Sequence, residues 1–425
     1  MKSVNIGIIG LGTIGGGVVE AINSNGKLIY ERTGVELAIK GMCDMDKKAL
    51  DAATCAGAVK TSNADDLIND PDISIIVELI GGIDPAKDMI LKAIGAKKHV
   101  VTANKALLSD SWQEIFKAAQ EAGVVVNFEA SVGGGIPVIK TLRESFVANN
   151  IDTVYGILNG TTNFILTMMD SERCSFSDAL KVAQERGIAE KDPELDISGA
   201  DSAHKLAILS LLAFGMVVSP EDIYTEGISA IDAQDLVNAH RWGYSIKLLA
   251  IAKDSKKGLE LRVHPTLLKS EHLLSDVKGA DNAIFIKGDL VGESLLFGKG
   301  AGRKPTSSSV IGDIVNIAKC SEDAYNMNFE SSGKKLSEMA QMEIPFYFRF
   351  TAIDKPGVLA GISSILSEND ISIANVSQEE RNEGEIVPVV IMTHRAKEGN
   401  MRKAIEKIDG QNYIKDKTVV IRIEE

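Results

Sequence analysis

The sequence predicts an α/β protein in three parts: a doubly wound parallel-sheet domain, then an α+β domain, then a small βαββαβ domain. Three observations carry this expectation. Short apolar runs alternate with helix-like stretches from the start to about residue 128, the signature of β-α-β units. Helical stretches dominate from about 136 to 298, with strand-like runs between them. After a polar stretch, residues 346–423 carry their own alternation of strand and helix patterns. A chain of 425 residues also exceeds what one hydrophobic core organises.

In the first part, strands are expected at 4–9, 35–43, 73–79, 99–102 and 124–128. The second part reads as helices at 177–186, 200–214 and 233–252, with strands at 154–158, 259–263 and 283–287. A glycine-rich segment, Phe297-Gly298-Lys299-Gly300-Ala301-Gly302, then leads through Pro305-Thr306 to an apolar helix at 309–318, expected to pack back on the first domain. Residues 321–345 are polar and read as a linker. The runs 346–351, 358–366, 371–378, 386–392, 400–408 and 418–423 complete the last domain. The domain expectation is therefore 1–135 with a returning helix at 303–320, then 136–302, a linker at 321–345, and 346–425.

With 44% hydrophobic and 25% charged residues, the composition is that of a soluble globular protein able to build a substantial core. The net charge of −13, without any basic run, argues against nucleic acid or an anionic membrane as partner. Cys43, Cys55, Cys174 and Cys320 form no C-x-x-C pair, and the histidines no H-E-x-x-H. Neither a zinc site nor a disulfide framework is indicated, which fits a reducing compartment. The first residues read as a strand instead of a signal peptide, and no apolar stretch reaches the ~20 residues of a membrane span. A cytoplasmic location is expected.

The first chemical motif is Gly10-Leu11-Gly12-Thr13-Ile14-Gly15, between a strand and an amphipathic helix through Val18, Val19 and Ile22. Glycines there permit the tight turn, the approach of backbone to pyrophosphate and close helix packing, while the helix N-terminus attracts phosphate. This context makes the motif a Rossmann-type dinucleotide site for NAD or NADP. Asp44 closes the second strand, where a carboxylate accepts from the adenine ribose hydroxyls. It lies 29 residues after Gly15, because the connection 23–34 is long. Asp44 favours NAD, but Lys47 and Lys48 follow and suit the extra phosphate of NADP, so the choice stays open. Glu78-Leu79-Ile80-Gly81-Gly82 and Thr102-Ala103-Asn104-Lys105 end the third and fourth strands, where open parallel sheets bind ligands, putting Lys105 near the nicotinamide. On the expected helix 200–214, Asp201 and Lys205 share a face at i, i+4. They read either as functional groups or as an S-x-x-D capping box from Ser198 with Lys205 its exposed partner.

The stretches Thr102–Leu107, Glu129-Ala130-Ser131-Val132-Gly133-Gly134-Gly135-Ile136-Pro137, Gly156-Ile157-Leu158-Asn159-Gly160-Thr161-Thr162-Asn163-Phe164-Ile165-Leu166 and Gly199-Ala200-Asp201-Ser202-Ala203-His204-Lys205-Leu206-Ala207-Ile208-Leu209 resemble, in order and spacing, the homoserine dehydrogenases. The resemblance covers essentially the whole chain. It implies NAD(P)-dependent interconversion of L-aspartate 4-semialdehyde and L-homoserine in threonine, methionine and isoleucine biosynthesis, by a homodimer or homotetramer whose α+β domain serves catalysis and dimerisation. It implies Lys205 as proton donor and acceptor with Lys105 assisting, and Glu190, Asp196, Asp201 and Lys205 at the substrate. Gly10, Gly12, Thr13, Ile14, Gly15, Asp44, Thr102, Lys105, Gly187 and Gly302 are implied cofactor contacts. Oxygens of Glu129, Val132, Gly134 and Ile136 are implied ligands of a monovalent cation such as Na⁺, the alternative being a glycine-rich bend without an ion.

Asp354-Lys355-Pro356-Gly357-Val358-Leu359 and Ile371-Ser372-Ile373-Ala374-Asn375-Val376 look like an ACT domain. Gly357 permits a close turn, and the helix N-terminus after it offers N–H groups to a ligand carboxylate. The resemblance implies feedback regulation by threonine around Asp354, Gly357, Val358 and Asn375; the alternative is a packing module without ligand. A domain beyond a polar linker should also be removable without loss of catalysis. Two rival readings are an aspartate semialdehyde dehydrogenase, which needs a nucleophilic cysteine in a catalytic loop, and a non-catalytic NAD-sensing regulator, which an assay of homoserine-dependent NAD(P)H formation separates.

Overall fold

The computed structural model describes residues 2–319, 332–378 and 384–424. They form two compact units. The first holds the chain up to Ile151, His204–Asp222 and the chain from Asp281 to Gly333; the second holds Asp152–Ala203, Ile223–Ala280 and the chain from Lys334 on.

The first unit is built on a parallel sheet of β1 (Lys2–Ile9), β2 (Val35–Cys43), β3 (Val59–Thr61), β4 (Ile75–Glu78), β5 (His99–Thr102) and β6 (Val126–Asn127), in the order β3-β2-β1-β4-β5-β6. This is the expected doubly wound fold, with β3 added. The apolar runs are unbroken because both faces are covered. On one face, Val4, Ile6 and Ile8 pack with Val18, Val19 and Ile22 of helix α1 (Thr13–Thr33). On the other, Ile76 and Val100 pack with Ile90 and Ile94 of one helix and Leu107 and Ile115 of another. Helix α1 stops at Gly34, whose φ of +72° a residue with a Cβ adopts at a cost. The helix expected at 309–318 runs over Arg303–Lys319, with Pro305 tolerated in its first turn, and its Val310, Ile314 and Ile317 join the α1 face. Residue 320 and the linker residues 321–331 lie outside the described residues.

In the second unit one sheet runs through Ile151–Ile157, Tyr244–Ser255, Gly258–Lys269, Val419–Glu424, Phe346–Ile353, Ile386–Thr393 and Ile373–Ser377. Two expectations are corrected here. The helix at 233–252 is half helix and half strand: Ala233–Arg241 is helical, Gly243 turns at φ +76°, and Tyr244–Ser255 pairs antiparallel with Gly258–Lys269 along its length. Residues 246–252 are all buried, Lys247 included, and a run covered on both faces carries no clear period by which to tell a helix from a strand.

The second correction concerns the C-terminal domain. Its βαββαβ order is as expected, with Phe346, Phe348 and Phe350 alternating into a core with Ile362, Leu366, Met401 and Ile408. It is not a free-standing module, however. Its last strand pairs in parallel with Gly258–Lys269 (Thr266↔Arg422, Leu267↔Ile423, Leu268↔Glu424) and antiparallel with Phe346–Ile353. The outward residues of the alternation bond away from its own core: Arg349 donates to Asp235 at 2.6 and 2.9 Å, and Tyr347 Oη at 2.8 Å. Nor is the end of the polar stretch a loose linker. Lys335 and Ser337 exchange backbone bonds with Leu259, and Glu343–Ile344 pairs with Ala396–Lys397. Among the described residues no helix is long and apolar enough to cross a membrane.

Candidate active site

In the first unit, β1 delivers the chain into the glycine turn. Gly10 has φ +93°, and a Cβ there would lie 2.7 Å from the Leu79 backbone; one on Gly15 would lie 1.9 Å from the Gly10 carbonyl. Gly12 by contrast has open space beside it, and it begins α1 with no side-chain cap. Free N–H groups at an open helix N-terminus are the cradle a pyrophosphate needs. Beside them lies a cavity of about 730 Å³ lined by Leu11, Gly12, Thr13, Gly16, Ala53 and Arg303, among others. Asp44 follows β2 and closes the turn: it accepts from Leu11 N at 2.6 Å and Asp46 N at 2.8 Å. Lys47 and Lys48 are exposed at the start of the next helix, while Arg303, which the sequence reading passed over, lines the cavity and pairs with Glu20 at 2.9 Å. The residues present fit a dinucleotide.

At the ends of β4 and β5, Glu78 is fully buried. Its carboxylate accepts from Thr102 Oγ1 at 2.6 Å and Ile80 N at 2.8 Å, and burial holds its pKa above the usual carboxylate value. Asn104 N donates to Thr102 Oγ1 at 3.0 Å, and the Asn104 side chain caps the helix Lys105–Ala122 by accepting from Leu107 N at 3.1 Å. That locks the β5 turn and leaves Lys105, half-buried, at the first helical position. One turn on, Ser109 bonds His204 at 2.8 Å. His204 precedes Lys205, so two lysines 100 residues apart in sequence sit on neighbouring helical segments. Lys205 is 8% exposed and Asp201 3%, so Lys205 is not the exposed partner of that reading; Ser198 Oγ accepts from Ala200 N at 3.4 Å.

In the second unit, Asn159 follows Ile151–Ile157 and caps Gly160–Glu172 through Thr162 N at 2.9 Å. Its amide nitrogen donates to Asp196 Oδ1 at 2.7 Å and Asp201 Oδ2 at 2.9 Å. Two of the expected substrate residues are thus drawn together by Asn159, for which the sequence implies no role. An Asn-Gly-Thr-Thr run is a helix-cap signal, but nothing local says where the other amide end points. Gly187 (φ +68°) and Glu190 lie apart on an exposed turn, with the Glu190 carbonyl held by Gln184 at 3.1 Å.

The proposed cation ligands surround a bend at Gly133 (φ +74°) and Gly134 (φ +54°). The buried Glu129 carboxylate accepts from Ile139 N and Lys140 N, both at 2.8 Å, the Gly134 carbonyl from Ser309 Oγ at 2.7 Å, and the Ile136 carbonyl from Val138 N at 2.8 Å. Val132 is buried. Each of these oxygens keeps further lone-pair capacity, and a set of backbone oxygens with one carboxylate suits a hard cation. Gly302 has φ +109° directly before Arg303–Lys319. In the C-terminal domain, Gly357 (φ +92°) begins the helix Val358–Glu368 without a side-chain cap. A cavity of about 270 Å³ there is lined by Asp354, Gly357, Val358, Gln378 and Val389, among others; Asn375 sits exposed on the edge strand.

Residues 10–129 match the family described as homoserine dehydrogenase, NAD binding domain; 137–315 match homoserine dehydrogenase; 346–410 match the ACT domain. The chain is 42% identical over 436 residues to a homoserine dehydrogenase of Pseudomonas aeruginosa, each chain covered in full. A crystal structure of a homoserine dehydrogenase from Thiobacillus denitrificans superposes with a TM-score of 0.93 at 42% identity, covering 100% of this chain and 99% of that one. A hyperthermophilic archaeal homoserine dehydrogenase in complex with NADPH matches 74% of this chain and 97% of its own, with a TM-score of 0.62 and 30% identity. Among the described residues no cysteine is an activated thiol: burial raises the thiol pKa of Cys43 to about 11, and burial likewise raises those of Cys55 and Cys174, while Cys320 lies outside the described residues. The chain belongs to the homoserine dehydrogenase family of NAD(P)-dependent oxidoreductases, with an ACT domain at its C-terminus.

Proposed function

We propose that Lys205 is the proton donor and acceptor in the interconversion of L-aspartate 4-semialdehyde and L-homoserine, with Lys105 assisting. A bound nicotinamide supplies the hydride that reduces the aldehyde carbon, or takes it back. The charge that develops on the substrate oxygen is stabilised and then neutralised by the Lys205 ammonium, which gives up its proton to that oxygen; in the reverse direction the amine recovers it. Lys105 adds a second positive charge from the end of β5. Asp196 and Asp201, oriented by Asn159, and Glu190 hold the polar groups of the amino acid, foremost its α-ammonium. The observation that supports this reading is the Ser109–His204 bond, which ties the helix that carries Lys205 to the helix that Lys105 begins.

The same reading gives the dinucleotide to Gly10, Gly12, Thr13, Ile14, Gly15, Asp44, Thr102, Lys105, Gly187 and Gly302, and a monovalent cation to Glu129, Val132, Gly134 and Ile136. Threonine acts as feedback effector at Asp354, Gly357, Val358 and Asn375, where the uncapped helix start suits its carboxylate. The enzyme works as a cytoplasmic homo-oligomer in threonine, methionine and isoleucine biosynthesis, its domains divided as 1–135 with 303–320, 136–302 and 346–425. Steady-state assays of homoserine-dependent NADH and NADPH formation, with and without threonine, test it. Insensitivity of the full-length enzyme to threonine would return the last domain to assembly alone.

A further inference from the structure

The residues that carry Asp196 and Asp201 are seated on another segment of the second unit. Ile228 N donates to the Ile197 carbonyl at 3.0 Å. A Cβ on Gly227 would lie 2.2 Å from that same oxygen and 2.8 Å from Ser198 Cα. Gly199 (φ +88°) is as close on its side: a Cβ there would meet Thr225 at 3.1 Å, Val263 at 3.2 Å and the Glu226 carbonyl at 3.3 Å. Two backbones in such contact move together, because packed interiors have no slack to absorb a shift.

The supporting segment is itself tied down twice. Tyr224–Thr225 pairs in parallel with Arg262–Val263, and Glu226 N donates to the Val263 carbonyl at 2.8 Å. The Glu226 carboxylate takes Arg422 from the C-terminal domain's last strand, Nη1 to Oε2 at 2.6 Å and Nη2 to Oε1 at 3.0 Å. Arg422 is 2% exposed, and its fork also reaches Glu398, Nε at 3.0 Å and Nη2 at 2.7 Å, with the guanidinium carbon 4.9 Å from the Tyr224 ring centre. A planar fork shared between two carboxylates and stacked on a ring is arginine chemistry that lysine does not reproduce.

We propose that Arg422 is a positioning residue for the amino-acid substrate: through Glu226 it fixes residues 225–228, and with them the 197–199 turn from which Asp196 and Asp201 meet Asn159. This rests on the assignment of Asp196 and Asp201 to the substrate. It also supplies a physical route by which a ligand that shifts the last strand changes substrate affinity, since both ends bias one packed element.

The test uses full-length enzyme, measuring kcat, the KM for homoserine, the KM for the dinucleotide and the thermal midpoint. Glu226→Gln should raise the homoserine KM at least about fivefold, the lower end of ordinary coupling between sites, with the other two kinetic constants within about twofold. Arg422→Lys should give the same split to a smaller degree; if it fails to fold, Glu226→Gln, at a side chain 38% exposed, carries the test alone. Asp201→Asn is measured beside them. If it raises the homoserine KM while Glu226→Gln does not, the proposal is overturned and the substrate assignment stands. If Asp201→Asn changes nothing, the assignment falls and takes the proposal with it. If Glu226→Gln lowers kcat and the midpoint together with homoserine KM unmoved, Arg422 serves stability only.

Discussion

Asn159 Nδ2 bonds Asp201 at 2.9 Å and Asp196 at 2.7 Å, so one amide fixes two carboxylates that belong to different helices. Removing it leaves both without that donor while the rest of the turn stays. Asn159→Ala is expected to raise the KM for homoserine by about tenfold, the worth of one charged hydrogen bond, with the KM for the dinucleotide nearly unchanged. Equal changes in both would mean that the loss of the helix cap dominates.

Lys205→Ala should lower kcat by at least ~10²-fold with a much smaller change in KM, because proton transfer and oxyanion stabilisation act in the transition state. Near-normal turnover would remove Lys205 from the chemistry. Glu190→Gln should act in the other sense and raise KM for homoserine; an unchanged KM would free that exposed carboxylate from the substrate.

The doubly wound class of the first unit, the glycine turn and the βαββαβ order of the last domain were legible because each rests on local periodicity and on glycines at φ values other residues avoid. What was not legible is long-range. No local signal says that Ser109 meets His204, that Asn159 meets two aspartates, or that Val419–Glu424, while paired within its own domain, also pairs with Gly258–Lys269. The run Tyr244–Ser255 failed for a related reason: burial on all sides erases the pattern that distinguishes strand from helix.

Asp44→Asn keeps an acceptor for Leu11 N but removes the charge that would repel a 2′-phosphate. The ratio of kcat/KM for NADP over NAD should rise. Arg303 lines the same cavity and suits a phosphate, so Arg303→Ala in the Asp44→Asn background should reverse part of the gain. A ratio that stays fixed in both variants would place cofactor choice elsewhere.

His264 is fully buried and held well below the usual histidine pKa, first by burial and then by the Arg422 and Arg262 guanidiniums. The unfolded chain therefore binds a proton below about pH 6.5 that the folded chain refuses, and the stability this neutral histidine allows is lost as pH falls from there. Burial lowers His99 in the same direction, whereas burial raises Asp313 to about 7, which acts with the opposite sign. The contribution of His264 is accordingly read as a difference: between pH 7 and pH 5 the wild-type thermal midpoint should fall more than that of His264→Gln. Parallel profiles would show that His264 does not titrate on unfolding.

Ending the chain at Pro345 should yield an insoluble or inactive protein, contrary to what a domain beyond a polar linker suggests. The cut removes Val419–Glu424 and leaves the buried strand Gly258–Lys269 with an open edge, a template for aggregation. It also strips partners from charged groups. Glu424 accepts from Arg262 at 2.8 Å, Lys253 at 3.0 Å and Tyr155 at 2.7 Å, and Asp235 loses Arg349 and Tyr347. Arg262 keeps Glu260 at 3.4 Å and Asp235 keeps Asp232 N at 2.9 Å, but each loses the partners that the last domain supplies. Regulation is therefore better separated from folding by point changes at the Asp354–Leu359 turn, which lies away from that strand pairing. Expression of the truncated chain beside full-length Glu424→Gln decides the matter. The point variant should fold with a lowered midpoint and the truncation should not; a soluble truncated chain with normal turnover would show that the shared sheet is dispensable.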